Sequence, residues 1–158
     1  MAMHSDARPQ DATPPEEQGF THKRAVRIEW GDCDPAGIVF NPRFFEMFDA
    51  ATAGLFEAAL GVHKRAMLEQ TGCAGIPLKK TSAEFFRPLR FGDDAVIEST
   101  IWFGRTSFRV RHRVMHNDEL CAEGSEVRVW TVRGPEGQLR ASPPPEDVAR
   151  RFKAGRGS

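Results

Sequence analysis

The chain has 158 residues, enough for one domain with a proper core and too few for two of ordinary size. Hydrophobic residues make up 40% and charged residues 28%, the balance of an ordinary globular protein and not of a disordered or membrane one, and no window approaches the roughly 18 continuous apolar residues of a membrane span. Lys and Arg number 22 and so do Asp and Glu, so no net field recruits nucleic acid or an anionic membrane, and any anion-binding patch has to be local.

Residues 1–20 carry Pro9, Pro14, Pro15 and several acids without an apolar run, and read as a disordered tail rather than a signal peptide. Cys33, Cys73 and Cys121 are odd in number and lack a C-x-x-C pair, which suggests neither a disulfide framework nor a zinc site and fits a reducing, cytoplasmic setting. From His22 to Trp30 the chain alternates, with Val26, Ile28 and Trp30 opposing Ala25, Arg27 and Glu29, the period of a half-buried strand. It runs into Gly31-Asp32-Cys33-Asp34-Pro35-Ala36-Gly37, whose glycine, aspartate and proline content predicts a tight, shaped loop. Asn41-Pro42 predicts a helix start, with Asn41 as cap and Pro42 at the first helical position, where a missing N–H costs nothing. Phe44, Phe45, Phe48, Ala51, Leu55, Phe56, Ala59 and Leu60 recur mostly at spacings of three and four, so this helix buries one broad face before ending at Gly61.

A second helix over 64–70 closes at Gly72. Four strands follow, over 78–86, 94–103, 107–117 and 120–133, with turns at Gly104-Arg105-Thr106 and Asn117-Asp118-Glu119. Val110, His112, Val114 and His116 share one face of the third of these, and Val127, Val129, Thr131 and Arg133 one face of the fourth. One strand, one long helix and an antiparallel meander make an α+β domain over residues 21–142, in which the helix has to cover one face of the sheet. Residues 143–158 read as a short helix followed by a flexible, basic tail.

The run Glu29-Trp30-Gly31-Asp32-Cys33-Asp34-Pro35-Ala36-Gly37-Ile38-Val39-Phe40, continued by Asn41-Pro42-Arg43-Phe44-Phe45, closely resembles the signature of the 4-hydroxybenzoyl-CoA thioesterase family. The resemblance extends through Asp49-Ala50-Ala51, Thr106-Ser107-Phe108 and Gln138-Leu139-Arg140-Ala141. It implies a hotdog fold, a curled antiparallel sheet wrapped around one long helix. It also implies hydrolysis of an acyl-CoA to free acid and coenzyme A without metal or cofactor, in a homodimer or homotetramer whose active sites lie between subunits. The catalytic aspartate of the family falls at Asp34. The resemblance implies substrate contacts at Phe40, Asp49, Arg105, Ser107 and Arg140: Asp49 matches an aspartate that meets the ring hydroxyl of a 4-hydroxybenzoyl group, and Arg105 and Arg140 match positions that hold the nucleotide end.

A thioester carbonyl needs a nucleophile or base on one side and hydrogen-bond donors where negative charge develops on oxygen. Asp34 meets the first need, either as a nucleophile forming an anhydride that water cleaves or as a general base for direct water attack; the competing role for it is an Asx-turn residue before Pro35. The backbone N–H of Asn41, at a helix N-terminus, meets the second, and Gly37 lets backbone and substrate approach closely. Asn41 stands where the close aromatic-acyl enzymes have tyrosine, and the donor role survives because it uses backbone. Asp32 reads as a carboxylate that orders the loop, and Cys33 as a small packing residue. His22, His63, His112 and His116 have no companion at metal or triad spacing and receive no role, and Arg87, Arg90, Arg109, Arg111 and Arg113 read as solvated charges. An aromatic acyl-CoA is the favoured substrate. The alternatives are a short- or medium-chain aliphatic acyl-CoA, another hotdog chemistry such as dehydration, and a non-catalytic acyl-CoA-binding protein.

Overall fold

Residues 19–153 are described by the computed structural model of the chain; the tail read into the first twenty residues falls outside them up to Gln18, as does the basic end after Lys153. Strand β1 (Phe20–Arg27) pairs antiparallel with β3 (Asp94–Phe103), from Phe20↔Ile101 to Arg27↔Asp94. The strand stops short of Trp30, where alternation predicted its end. The Asp32 carboxylate accepts the Glu29 N–H at 2.8 Å and curls Trp30–Asp32 into a 3-10 turn, leaving Trp30 76% exposed. Helix α1 (Asn41–Leu60) and helix α2 (Lys64–Thr71) each end at a glycine in the left-handed region, Gly61 and Gly72, both at φ 71°. Strands β2 (Leu78–Phe85), β4 (Ser107–His116) and β5 (Glu119–Val129) complete a five-stranded antiparallel sheet in the order β1-β3-β4-β5-β2. Between β4 and β5, Asn117 and Asp118 both take positive φ, the turn shape that suits strand twist.

The last predicted strand breaks at Trp130. The Trp130 N–H turns to the Thr106 carbonyl at 2.8 Å, and β6 (Thr131–Arg133) leaves the sheet to pair with β7 (Leu139–Ala141) before α3 (Glu146–Lys153). Up to that break the strand's two faces differ in burial. Glu126, Arg128 and Trp130 point inward and are buried, while Val127 and Val129 lie on the outer face.

Helix α1 packs chiefly on β1, β3 and β4, the hotdog arrangement of a sheet wrapped on one long helix. The core divides into two clusters. One surrounds the start of α1, with Phe44, Phe48, Ile97 and Val114; the other surrounds its end, with Phe56, Phe108 and Trp130, and takes in Val148 and Phe152 of α3. Strand β2 lies beyond the helix, and its inward residues Thr81 and Phe85 are exposed. Gly124 on β5 is fixed by close packing, since a Cβ there would lie 2.7 Å from Phe48 Cζ, on a ring with no exposed surface. Gly124→Ala is expected to cost about 2 kcal/mol by overpacking, measured by thermal denaturation, with part recovered when Phe48→Leu is added.

Candidate active site

The loop carrying Asp34 is a small hairpin. Phe40 N–H donates to Asp32 O (2.8 Å), Asp34 N–H to Ile38 O (2.9 Å), and Cys33 bridges Val39, so the two legs run side by side. At the tip, Gly37 N–H closes onto Asp34 O at 2.9 Å. Asp-Pro-Ala-Gly supplies what such a turn asks for: a carboxylate at its first position, a preset φ at its second, and a final glycine, here at φ 78°. The surroundings leave open space where a Gly37 Cβ would sit, so within the chain it is backbone conformation that requires the glycine. Ile38 and Val39 anchor the return leg to the segment before β3, through an Ile38↔Arg90 bridge and a bond from Val39 N–H to Leu89 O at 2.9 Å.

Asp34 is half-buried, and its Oδ1 accepts the Ala36 N–H at 2.8 Å, the Asx-turn bond weighed above. That bond occupies one oxygen and leaves the carboxylate able to accept more, so the turn bond leaves room for a chemical role. The return leg ends at Phe40, which is the helix cap in place of the predicted Asn41; Asn41 and Pro42 are the first two helical residues. No side chain caps this end and no acid lies in its first turn. Pro42 has no N–H, and the Arg43 N–H is taken by Phe40 O at 2.8 Å. Among the described residues nothing accepts the Asn41 N–H, so this donor faces outward at the positive end of the helix dipole. Phe40, 51% exposed, adjoins it.

Asp34, Gly37, Phe40 and Asn41 are thus brought together by one short hairpin. Arg105, Ser107 and Arg140 meet elsewhere: the β3–β4 turn holding Arg105 and the strand holding Arg140 flank Trp130, through Trp130 N–H to Thr106 O and Ser142 N–H to Trp130 O. That point lies past the end of β3, whereas the Asp34 hairpin lies before its start. Ten residues of strand separate the two by about 30 Å, so a single chain does not unite them.

Asp49 leads to a cluster that reading the sequence missed. Its Oδ1 accepts Arg128 Nη2 at 2.7 Å. The Arg128 side chain is 7% exposed and gives Nε to Glu126 Oε2 (2.8 Å), Nη2 to Glu126 Oε1 (3.2 Å) and Nη1 to Ile76 O (3.1 Å). Glu126 also accepts the Thr52 hydroxyl at 2.7 Å. Because that hydroxyl spends its hydrogen on Glu126, it accepts from His112 Nε2, 3.2 Å away. Ser99 Oγ meets His112 Nδ1 at 2.7 Å, and the imidazole, wholly buried, stacks on Phe48 with 4.9 Å between centroids. Burial pushes the Glu126 carboxyl up, but hydrogen bonds from His112, Arg128 and Thr52 outweigh it and hold the group at about 2. A signal was present in the sequence: His112 sits in the apolar phase between Val110 and Val114, and a polar group in a buried phase needs partners.

A profile of the thioesterase-like superfamily matches residues 28–152. Over 129 residues the chain is 35% identical to the 4-hydroxybenzoyl-CoA thioesterase of Pseudomonas sp. (strain CBS-3), covering 77% of this chain and 89% of that protein. It is 31% identical over 125 residues to the 1,4-dihydroxy-2-naphthoyl-CoA hydrolase of Synechococcus elongatus, covering 75% of this chain and 85% of that one. A crystal structure of a 4-hydroxybenzoyl-CoA thioesterase mutant complexed with 4-hydroxybenzoyl-CoA superposes with a TM-score of 0.75 at 31% identity, over 84% of this chain and 98% of that chain.

Proposed function

Because the chain belongs to the thioesterase-like superfamily and is a thioester hydrolase, we propose that it cleaves an aromatic acyl-CoA, such as 4-hydroxybenzoyl-CoA, to the free acid and coenzyme A. The observation that carries the reading is the hairpin that sets a carboxylate with accepting capacity, Asp34, beside a helix end whose Asn41 N–H has no acceptor among the described residues. The thioester carbonyl oxygen takes the Asn41 N–H, and the negative charge that grows there is met by an outward donor and the helix dipole. Asp34 supplies the attack from the other side, directly as nucleophile or by drawing a proton from water. Phe40 borders the acyl group, and Asp49 accepts a hydrogen bond from a ring hydroxyl. The reaction as proposed uses carboxylate, backbone and water, with no metal or organic cofactor.

Coenzyme A brings phosphates, for which Arg105 and Arg140 are the proposed ligands, beside Ser107. Since one chain holds these about 30 Å from Asp34, the complete site is proposed to form between two copies. The β2 edge, unpaired among the described residues and with Leu78, Phe85 and Phe86 exposed near it, supports pairing there about a two-fold axis, which sets the Asp34 end of one protomer against the Arg105 end of the other. The test is thiol release from a panel of aroyl- and aliphatic acyl-CoAs. Faster release from aroyl-CoAs is expected; faster release from aliphatic ones overturns the substrate assignment, and binding without release makes this an acyl-CoA-binding protein.

A further inference from the structure

Resting on that substrate reading, we propose that Arg128 is a positioning residue for acyl-group selection, holding the Asp49 carboxylate in place from beneath the surface of α1. The guanidinium is a rigid planar fork. Its Nε and Nη2 edge is committed to the two oxygens of Glu126, and Nη1 to the Ile76 carbonyl, so the plane cannot turn. The remaining Nη2 hydrogen then has one direction, along which it meets Asp49 Oδ1 at 2.7 Å. Glu126 is in turn held by Thr52, on the same face of α1 one turn after Asp49, and by the His112 ring. The direction of a carboxylate with 58% of its side chain exposed is thus set by groups that are almost wholly buried.

Charge decides what this carboxylate selects. One guanidinium faces two carboxylates, Glu126 and Asp49, and pins one oxygen of Asp49 while leaving the other open. A carboxylate oxygen accepts hydrogen bonds, so the fixed group favours an acyl chain that carries a donor, such as a phenolic hydroxyl, over one of the same shape without it. A lysine at 128 would keep the charge but lose the fork, and with it the direction.

The experiment uses the full chain with 4-hydroxybenzoyl-CoA and benzoyl-CoA, and reads the ratio of kcat/KM between them for wild type, Asp49→Asn, Arg128→Lys and the double variant, with circular dichroism as the check on folding. Arg128→Lys is expected to lower the ratio about tenfold, mostly through KM of the hydroxylated substrate. Asp49→Asn should do the same, and the double variant no more than either, because Arg128 acts through Asp49. Where Arg128→Lys does not fold, Glu126→Gln, which loosens the fork from the other side, is expected to lower the same ratio. The assignment is overturned if the ratio does not move, or if Arg128→Lys still lowers it once Asp49 is asparagine. Equal loss for both substrates overturns it too, since that is what a merely structural arginine gives. A wild-type protein that hydrolyses neither substrate fails the substrate reading itself, and does so before any variant is made.

Discussion

In the Asp34→Asn variant, thiol release from the favoured aroyl-CoA is expected to fall about 10³-fold while the protein stays folded. Asparagine keeps a carbonyl oxygen where Asp34 Oδ1 accepts the Ala36 N–H, so the turn from Asp34 to Gly37 survives the exchange. What it loses is the capacity to attack a carbonyl or take a proton from water. Steady-state kinetics beside a melting curve separate these two properties of one side chain. A rate close to wild type would reduce Asp34 to its turn-forming part and move the chemistry elsewhere.

Arg128→Met is expected to destabilise the fold by about 3–5 kcal/mol, because it leaves the Glu126 charge buried without its fork. Adding Glu126→Leu should recover a large part, since a buried pair replaced as a whole by apolar groups is often close to neutral. Acid gives a second handle on the same cluster. The Glu126 carboxyl is at about 2 in the folded chain against 4.5 as its ordinary value, so its contribution is present above pH 4.5 and lost as pH falls toward 2. At about 1.4 kcal/mol per pH unit, this carboxyl accounts for on the order of 3 kcal/mol across that window. Urea titrations at several pH values should show a stability slope there that is flatter in Glu126→Gln.

The elements near the Asp34 hairpin were legible because local chemistry decides them. Asp-Pro-Ala-Gly specifies a turn, Pro42 marks a first helical turn, and Phe44, Phe48, Ala51, Leu55, Phe56 and Ala59 at helical spacing fix the buried face of α1, with Phe45 left exposed. Trp30 misled because its alternation with Ile28 is real, but the bond from Glu29 N–H to Asp32 bends the chain before the pattern is complete. Which face of β5 is buried was not legible in the same way. Val127 and Val129 share one face, yet the buried row is Glu126, Arg128 and Trp130. Hydrophobicity alone picks the wrong row, because the buried charges satisfy one another and Asp49, Thr52, Ser99 and His112, which lie far away in sequence. A network that closes only in three dimensions leaves little trace in a periodicity.

The same network separates the apolar interior into two compartments, with Thr52, Ser99, His112 and Glu126 between the cluster at the start of α1 and the one at its end. Close-packed apolar cores transmit a change of volume from neighbour to neighbour. A band of directional bonds interrupts that transmission, because its members are held by geometry and not by contact area. Substitutions around Phe56, Trp130 and Phe152 are therefore absorbed on their own side of the band. The packing beneath the Asp34 hairpin is thereby decoupled from changes of side-chain volume at the other end of α1.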